Sequence, residues 1–502
     1  MTKSLLALFA AAVAFAQQPV DIQVDLKART GPLKPIWSFV GYDEPNYTYM
    51  KDGKKLLSEY AALSPVPVYV RVHSLLVTGD GKPALKWGST NAYTEDASGK
   101  PIYDWTIVDR IFDTYIERGM KPLVQIGFMP KALSSKPEPY QHSWKPDDKY
   151  GTIFTGWAHP PKDYEKWSEL VYQLGRHCLE KYGKAEVDTW LWEVWNEPNI
   201  GYWQGTPEEY HKLYDYSTAG LKRALPTARV GGPHSTGPAN PQAAAFLRKF
   251  LDHALRGKNY ATGKTGSPLD YVGFHAKGSP KFVEDNVVMG IEKQLNDLAN
   301  GFQIIASYPE LKGKPVIIGE SDPEGCAACS SRFHPQNAYR NGVMYSSYMA
   351  AVMPRHLDLA NKYGVNLLGA VTWAFEFEDQ PYFDGFRDLA TNGIDKPVLN
   401  VLRMLGMMTG ERVTVRNEGA LSLDSIVAGG ANGPQPDLHA MASVDTHSGA
   451  VLVSNYHDSG KSGPSAPVQL TISGVPQTRV QLHHYRVDNE HSNSYEVWKK
   501  MG

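Results

Sequence analysis

Eight short apolar runs alternate with helical patterns along most of this chain, and that alternation restricts the fold more than any other feature. The runs fall near residues 36–40, 66–72, 122–127, 189–195, 229–232, 269–274, 315–319 and 366–373. Between them, Val108, Ile111, Phe112 and Tyr115 share one helical face, and so do Tyr210, Leu213, Tyr214 and Leu221. The second of these helices opens with Thr206-Pro207-Glu208-Glu209, an N-cap, a first-position proline and a capping-box acid. Strands that alternate with helices imply a parallel sheet, and eight of them imply a closed (β/α)8 TIM barrel, here over residues 36–408.

The pattern changes after about residue 410. Short alternating strands at 412–417, 441–444, 451–456, 468–473 and 479–487 are separated by Gly/Pro/Ser loops. They predict a small C-terminal antiparallel β-sandwich over residues 409–502. Residues 20–28 also alternate, so the segment 17–35 is expected to add a strand to that domain.

Two of the barrel runs end in a carboxylic acid. Thr189-Trp190-Leu191-Trp192-Glu193-Val194 leads into Trp195-Asn196-Glu197-Pro198-Asn199, after which Gly201, Gly205 and Pro207 turn the backbone. Lys314-Pro315-Val316-Ile317-Ile318-Gly319 leads into Glu320-Ser321-Asp322. Glu197 and Glu320 are 123 residues apart, or three βα units of roughly 40 residues each. That spacing places them on strands four and seven, facing each other across the barrel mouth. A strand-end acid flanked by Trp and Asn offers a proton donor, a hydroxyl reader and a flat stacking face, the requirements of a sugar-cleaving barrel.

Composition narrows the alternatives. Lys and Arg number 51 against 53 acidic residues, a formal charge of −2, so there is no basic footprint for nucleic acid. The chain carries 12 Trp and 28 Tyr, which suits a sugar cleft and a large core alike. Lys3, the apolar run 5–15 and the small-x-small triplet Ala14-Phe15-Ala16 predict a secretory signal peptide over residues 1–16 and a secreted or periplasmic protein. No later run is long and apolar enough for a membrane anchor. Asn46-Tyr47-Thr48 is a glycosylation sequon. Cys178 reads as a core hydrophobe, whereas Cys326 and Cys329 could close a small disulfide loop beside Glu320. A redox C-x-x-C or a zinc site lacks the necessary context, since His334 is the one other ligand nearby.

At this point the motifs resemble a known family. Tyr69-Val70-Arg71-Val72-His73, Gly119-Met120-Lys121-Pro122, Gly127-Phe128-Met129-Pro130, Glu193 to Asn199 and Val230-Gly231-Gly232-Pro233 are similar to glycoside hydrolase family 39 over nearly the whole mature length. The resemblance implies a retaining enzyme with Glu197 as acid/base and Glu320 as nucleophile, and no metal or cofactor. Family members are often dimers or tetramers, so a homo-oligomer is within expectation. A retaining mechanism needs the two carboxyls about 5–5.5 Å apart, and at that distance an ionised Glu320 is expected to raise Glu197 and keep it protonated.

Other strand ends supply candidate substrate-binding residues. Arg71 is expected to keep Glu320 ionised, Asn196 to donate to the sugar 2-hydroxyl, His275 to orient Glu320 and His73 to bind a hydroxyl. Trp373 is expected as a stacking floor, Glu378 as a hydroxyl clamp, and Phe128 and Trp203 as walls. His275-Ala276-Lys277-Gly278 and Glu320-Ser321-Asp322-Pro323 are similar to segments of iduronidases, in which the lysine binds a substrate carboxylate. Arg387 is a second candidate cation. The compact C-terminal region and the signal peptide favour instead a β-D-xylosidase acting on the non-reducing ends of xylo-oligosaccharides. Iduronidase-like or α-L-arabinosidase activity is the alternative, and an inactive glycan-binding protein is a remote one.

Overall fold

The computed structural model describes residues 19–141, 156–461, 465–477 and 479–502. The signal peptide expected over residues 1–16 lies outside the described residues. The barrel strands are Phe39–Tyr42, Tyr69–Val72, Lys121–Ile126, Leu191–Val194, Arg229–Ser235, Tyr271–Lys277 and Pro315–Asp322. The eighth strand comes in two pieces, Asn366–Ala370 and Thr372–Trp373. Every neighbouring pair is parallel. The first piece of strand eight pairs with strand seven, and the second piece pairs Thr372 with Val40 and Trp373 with Gly41 on strand one. Only Val371 interrupts the ring, and its N–H donates to the Ile318 carbonyl at 2.8 Å. The result is a nearly closed (β/α)8 TIM barrel. Its strands are apolar almost end to end because helices cover one face and the barrel interior covers the other.

Strands five, six and seven extend to Ser235, Lys277 and Asp322, further than their apolar runs suggest. Most of the added residues are polar, so hydropathy does not mark them as strand, yet they carry much of the site.

Helix Pro207–Ala224 has the complete capping box, with Thr206 and Glu209 each accepting the other's backbone N–H. It packs on Tyr164–Tyr182, where the Trp167 Nε1–H donates to Ser217 Oγ at 2.7 Å. A Cβ on Gly220 would stand 2.2 Å from the Ser168 carbonyl, so this crossing admits glycine alone. Cys178, on helix Tyr164–Tyr182, is a buried free thiol.

The C-terminal region corrects the expected sandwich. Among the described residues it is one five-stranded sheet, in which Val20–Pro32 lies between Glu411–Asn417 and Val468–Ser473, with Asp437–Val444 and Gly449–Tyr456 beyond. Helix Val343–Tyr363 occupies the place of a second sheet. It ties itself down through Arg355, whose Nη2 is 3.1 Å from Asp437 Oδ2, and through Tyr348 packed edge-on to Tyr456. Residues 479–487 form no strand, and Val480, Leu482 and Tyr485 are exposed. Alternation supplied that segment with an apolar face, but a strand also needs a neighbouring backbone edge to bond. Among the described residues no helix is long and apolar enough to cross a membrane. The sequon asparagine is also accounted for: Asn46 is buried, and its Nδ2 donates to the carbonyls of Gly81 and Ser89, so its amide is committed to packing.

Candidate active site

Strand four ends in a turn that aims Glu197 into the barrel mouth. Trp195 and Glu197 hold left-handed φ values of 72° and 43°, conformations that cost non-glycine residues free energy and persist only when the surroundings enforce them. Here the Trp195 N–H bonds the Ile126 carbonyl at 2.9 Å and the Glu197 N–H bonds the His234 carbonyl at 3.0 Å. The Trp195 indole donates to the Tyr202 carbonyl, and Asn199 locks the turn to Thr236. The side chain of Trp195 is therefore buried behind the acid.

Glu320, from strand seven, meets Glu197 across the mouth. A carboxylate oxygen of each, together with a ring nitrogen of His275, lie within 4.8 Å of one another. His275 Nδ1 is 2.9 Å from Glu197 Oε1 and 3.8 Å from Glu320 Oε1. Lys277 Nζ pairs with Glu320 Oε2. Arg71 Nη1 donates to Glu320 Oε1 at 3.2 Å, and its Nη2 donates to Asn196 Oδ1 at 2.9 Å. With its oxygen occupied, the Asn196 amide is oriented to offer its NH2 to a ligand.

Beneath this pair the barrel interior is ionic. Arg71 Nε donates to both oxygens of Glu193, at 2.9 and 3.0 Å, and His234 Nε2 is 2.9 Å from Glu193 Oε2. Room for His234 comes from two glycines, because a Cβ on Gly273 or Gly319 would meet its ring at 2.3 or 2.1 Å. Burial pushes the Glu193 carboxyl up, but Arg71 and His234 override it and hold it down at about 2. Glu193 thus stays charged and anchors Arg71, which in turn orients Asn196 and Glu320.

The electrostatics of the two acids depart from expectation in one respect. Burial pushes Glu320 up, but Lys277, His275, Arg71 and His73 together hold it well below the usual carboxylate range. Burial and the charge of Glu320 also push Glu197 up. Lys277 and the His275 hydrogen bond outweigh them, so Glu197 sits below its ordinary value rather than above it. The expectation of a raised acid counted the neighbouring carboxylate and omitted the Lys277 ammonium paired with it.

Glu197, Glu320 and Lys277 line a cavity of about 400 Å3 together with Asp43, Lys86, Tyr140, Tyr202, Cys326, Trp373 and Arg387, whereas Arg71, Asn196, His73 and His275 are not part of its lining. Trp373 is held by its N–H to Asp322 Oδ1, and the Arg71 guanidinium lies 4.9 Å from its ring centroid. His73 sits against Trp373, with its Nε2 3.6 Å from Glu320 Oε1 and its Nδ1 2.7 Å from Asp43 Oδ1. Glu378 is placed elsewhere. Its Oε2 accepts the Asp52 N–H in the first turn of helix Lys51–Leu63, and it does not line the cavity. The acidic loop is bent toward that helix start, where backbone N–H groups attract a carboxylate. Phe128 and Trp203 pack around Trp195 and do not line the cavity either. Sequence reasoning assigned no role to Asp43, Lys86, Tyr202 or the Glu193–His234 pair. Asp43 directly follows strand one and was legible as a strand-end acid. Lys86 comes from a long loop with no such signal.

Arg387 reaches the cavity from the loop after strand eight. Its Nε donates to the Trp373 carbonyl at 3.0 Å, its Nη1 pairs with Glu324, and its Nη2 is 3.5 Å from Asp322 Oδ2. Cys326 and Cys329 are joined in a disulfide. The hairpin they close is fastened by Arg340, which donates to the carbonyls of Cys326 and Cys329 at 3.2 Å each.

Comparison with known proteins agrees with this architecture. The profile of glycosyl hydrolases family 39 matches residues 20–502. The chain is 27% identical to a β-xylosidase of Geobacillus stearothermophilus, over 86% of this chain and 76% of that protein. It is 26% identical to an α-L-iduronidase of Mus musculus, over 99% of this chain and 75% of that protein. The crystal structure of a monomeric β-xylosidase from Caulobacter crescentus superposes with a TM-score of 0.64 at 22% identity, covering 86% of this chain and 76% of that one. The match spans both the barrel and the C-terminal sheet, so the chain belongs to glycosyl hydrolase family 39 and is a glycosyl hydrolase.

Proposed function

We propose that the protein is a retaining exo-β-D-xylosidase that removes xylose from the non-reducing ends of xylo-oligosaccharides. The observation that carries the mechanism is the approach of Glu197 and Glu320 oxygens to within 4.8 Å. An inverting enzyme needs about 6.5–9.5 Å between carboxyls to seat a water, whereas a retaining one uses about 5–5.5 Å. In the first step Glu320 attacks the anomeric carbon, the glycosidic bond breaks, and the Glu197 proton passes to the leaving oxygen. The ester neutralises Glu320. In the second step Glu197, now a carboxylate, takes a proton from water, water attacks the anomeric carbon, and the ester bond breaks. Asn196 donates to the 2-hydroxyl and Trp373 forms the floor.

The charge arrangement supports a neutral sugar. Each cation lining the cavity already has an anionic partner: Lys277 has Glu320, Lys86 has Asp43, and Arg387 has Glu324. A substrate carboxylate would have to compete with these buried pairs. One observation favours a second reading, a uronic-acid glycosidase of the iduronidase type, namely that Lys277 and Arg387 line the same cavity. A panel of nitrophenyl glycosides separates the two, with the product anomer followed by NMR. Release from the β-xyloside with retained configuration is expected. Release from an α-L-uronide and not the xyloside would reverse the sugar assignment, and an inverted first product would remove the covalent mechanism.

A further inference from the structure

Asp43 and Lys86 stand on the cavity wall, and the two-step chemistry above does not use them. Lys86 Nζ is 2.5 Å from Asp43 Oδ2, and both side chains are more than nine-tenths buried. The chain holds Lys86 there with some effort. Its φ is 66°, its N–H donates to Glu44 Oε1 at 2.8 Å, and the next turn is pinned where the Ser89 N–H donates to Asn46 Oδ1 at 2.9 Å. A Cβ on Gly88 would stand 2.4 Å from Asn46 Oδ1, so the loop lies directly on the segment that follows strand one. A buried ion pair is a poor device for stability alone, because desolvation of both charges offsets most of their attraction. This pair opens into the substrate cavity.

Its position indicates what it meets. Glu197 follows strand four and Asp43 follows strand one, three steps apart around the ring. Asp43 is linked through His73 to the Glu320 side of the cavity, so the ion pair reaches the bound sugar from a different side than the acid. An ammonium beside a carboxylate offers donors and acceptors at hydrogen-bond spacing, which complements two adjacent hydroxyls that each donate and accept.

We propose that Asp43 and Lys86 clamp two neighbouring ring hydroxyls of the terminal sugar, at the end remote from the bond being cut, so that an unsubstituted vicinal diol there is a condition of cleavage. This deepens the exo-glycosidase reading and rests on it. A ring extended at either hydroxyl cannot enter the clamp, and the enzyme is thereby confined to chain ends.

The test uses the nitrophenyl glycoside that the wild-type protein cleaves fastest, with its 3-deoxy and 4-deoxy analogues. Wild type is expected to lose about 10- to 100-fold in kcat/KM on at least one analogue, the range for a hydrogen bond to a charged group. Lys86→Met is expected to lose a similar factor on the parent and then to treat parent and analogue alike. Undiminished wild-type turnover of both analogues overturns the clamp, and so does a Lys86→Met enzyme that keeps the wild-type discrimination. Should Lys86→Met fail to fold, Lys86→Arg keeps the buried charge and is expected to weaken the discrimination, and unchanged discrimination again overturns the clamp. Failure of wild type to cleave any glycoside would strike the exo-glycosidase reading itself, which is distinguishable from cleavage without discrimination.

Discussion

The Lys277 ammonium, on the wall of the cavity, is paired with Glu320, and it is the foremost attraction lowering both Glu320 and Glu197. One cation therefore acts on the protonation of both carboxyls. The proposed mechanism requires Glu320 ionised and Glu197 protonated, so kcat/KM is expected to rise as pH passes Glu320 and fall as pH passes Glu197. With both groups lowered, the bell lies on the acid side. Lys277→Met removes the lowering influence and is expected to move both limbs to higher pH. A pH profile with an unmoved alkaline limb would contradict this.

Glu197→Ala is expected to slow natural xylosides by about 10²–10⁴-fold, the usual contribution of general acid catalysis. Activated aryl glycosides need no protonation and are expected to be spared in the bond-breaking step, with added azide accelerating turnover. Equal losses on both substrate types would remove the acid role.

Arg71→Met strands Glu193 in the barrel interior with His234 as its remaining polar neighbour. Breaking a buried pair from one side costs about 3–5 kcal/mol. Denaturant unfolding is expected to show a loss of that size, with activity falling below detection because Asn196 and Glu320 lose the same anchor. A change under about 1 kcal/mol would be no more than a surface pair gives and would refute the network.

Cys329→Ser opens the four-residue disulfide hairpin. The chain-entropy contribution of so short a loop is about 2 kcal/mol. Because Cys326 lines the cavity, KM is expected to rise more than kcat falls. A stable variant with unchanged KM would detach the hairpin from substrate binding.

Glu376 is buried, and burial pushes its carboxyl up to about 8, with Asp388 and Asp52 adding to the effect. A folded-state value above the unfolded one means that the native protein binds the extra proton. Stability from this group is therefore full below the unfolded value and is lost as pH rises toward 8. Glu376→Gln is expected to flatten that fall, and melting temperatures at pH 5 and 8 measure it. An equal fall in wild type and variant would count against it.

The barrel was legible because each parallel strand is buried on both faces and announces itself as an apolar run. Glu197 and Glu320 were legible for the same reason, since each breaks such a run at its carboxyl end. Lys86 was not, because it reaches the cavity through a loop whose shape depends on Asn46 and Glu44 rather than on periodicity. Glu378 was misplaced because an acidic loop shows its charge and not its direction. Residues 479–487 show the converse, alternation without a partner edge. The direction of Glu197's shift escaped as well, since it depends on how far Lys277 leans toward each of two acids.

Residues Val20–Pro32 form the first strand among the described residues, yet their hydrogen-bonding neighbours are Glu411–Asn417 and Val468–Ser473, nearly four hundred positions later or more. During synthesis the leading strand must therefore wait, edges bare, while the whole barrel is made and folds behind it. The small sheet can close only after residues 468–473 have been made, so the last of its bonds form after the barrel between them has been synthesised.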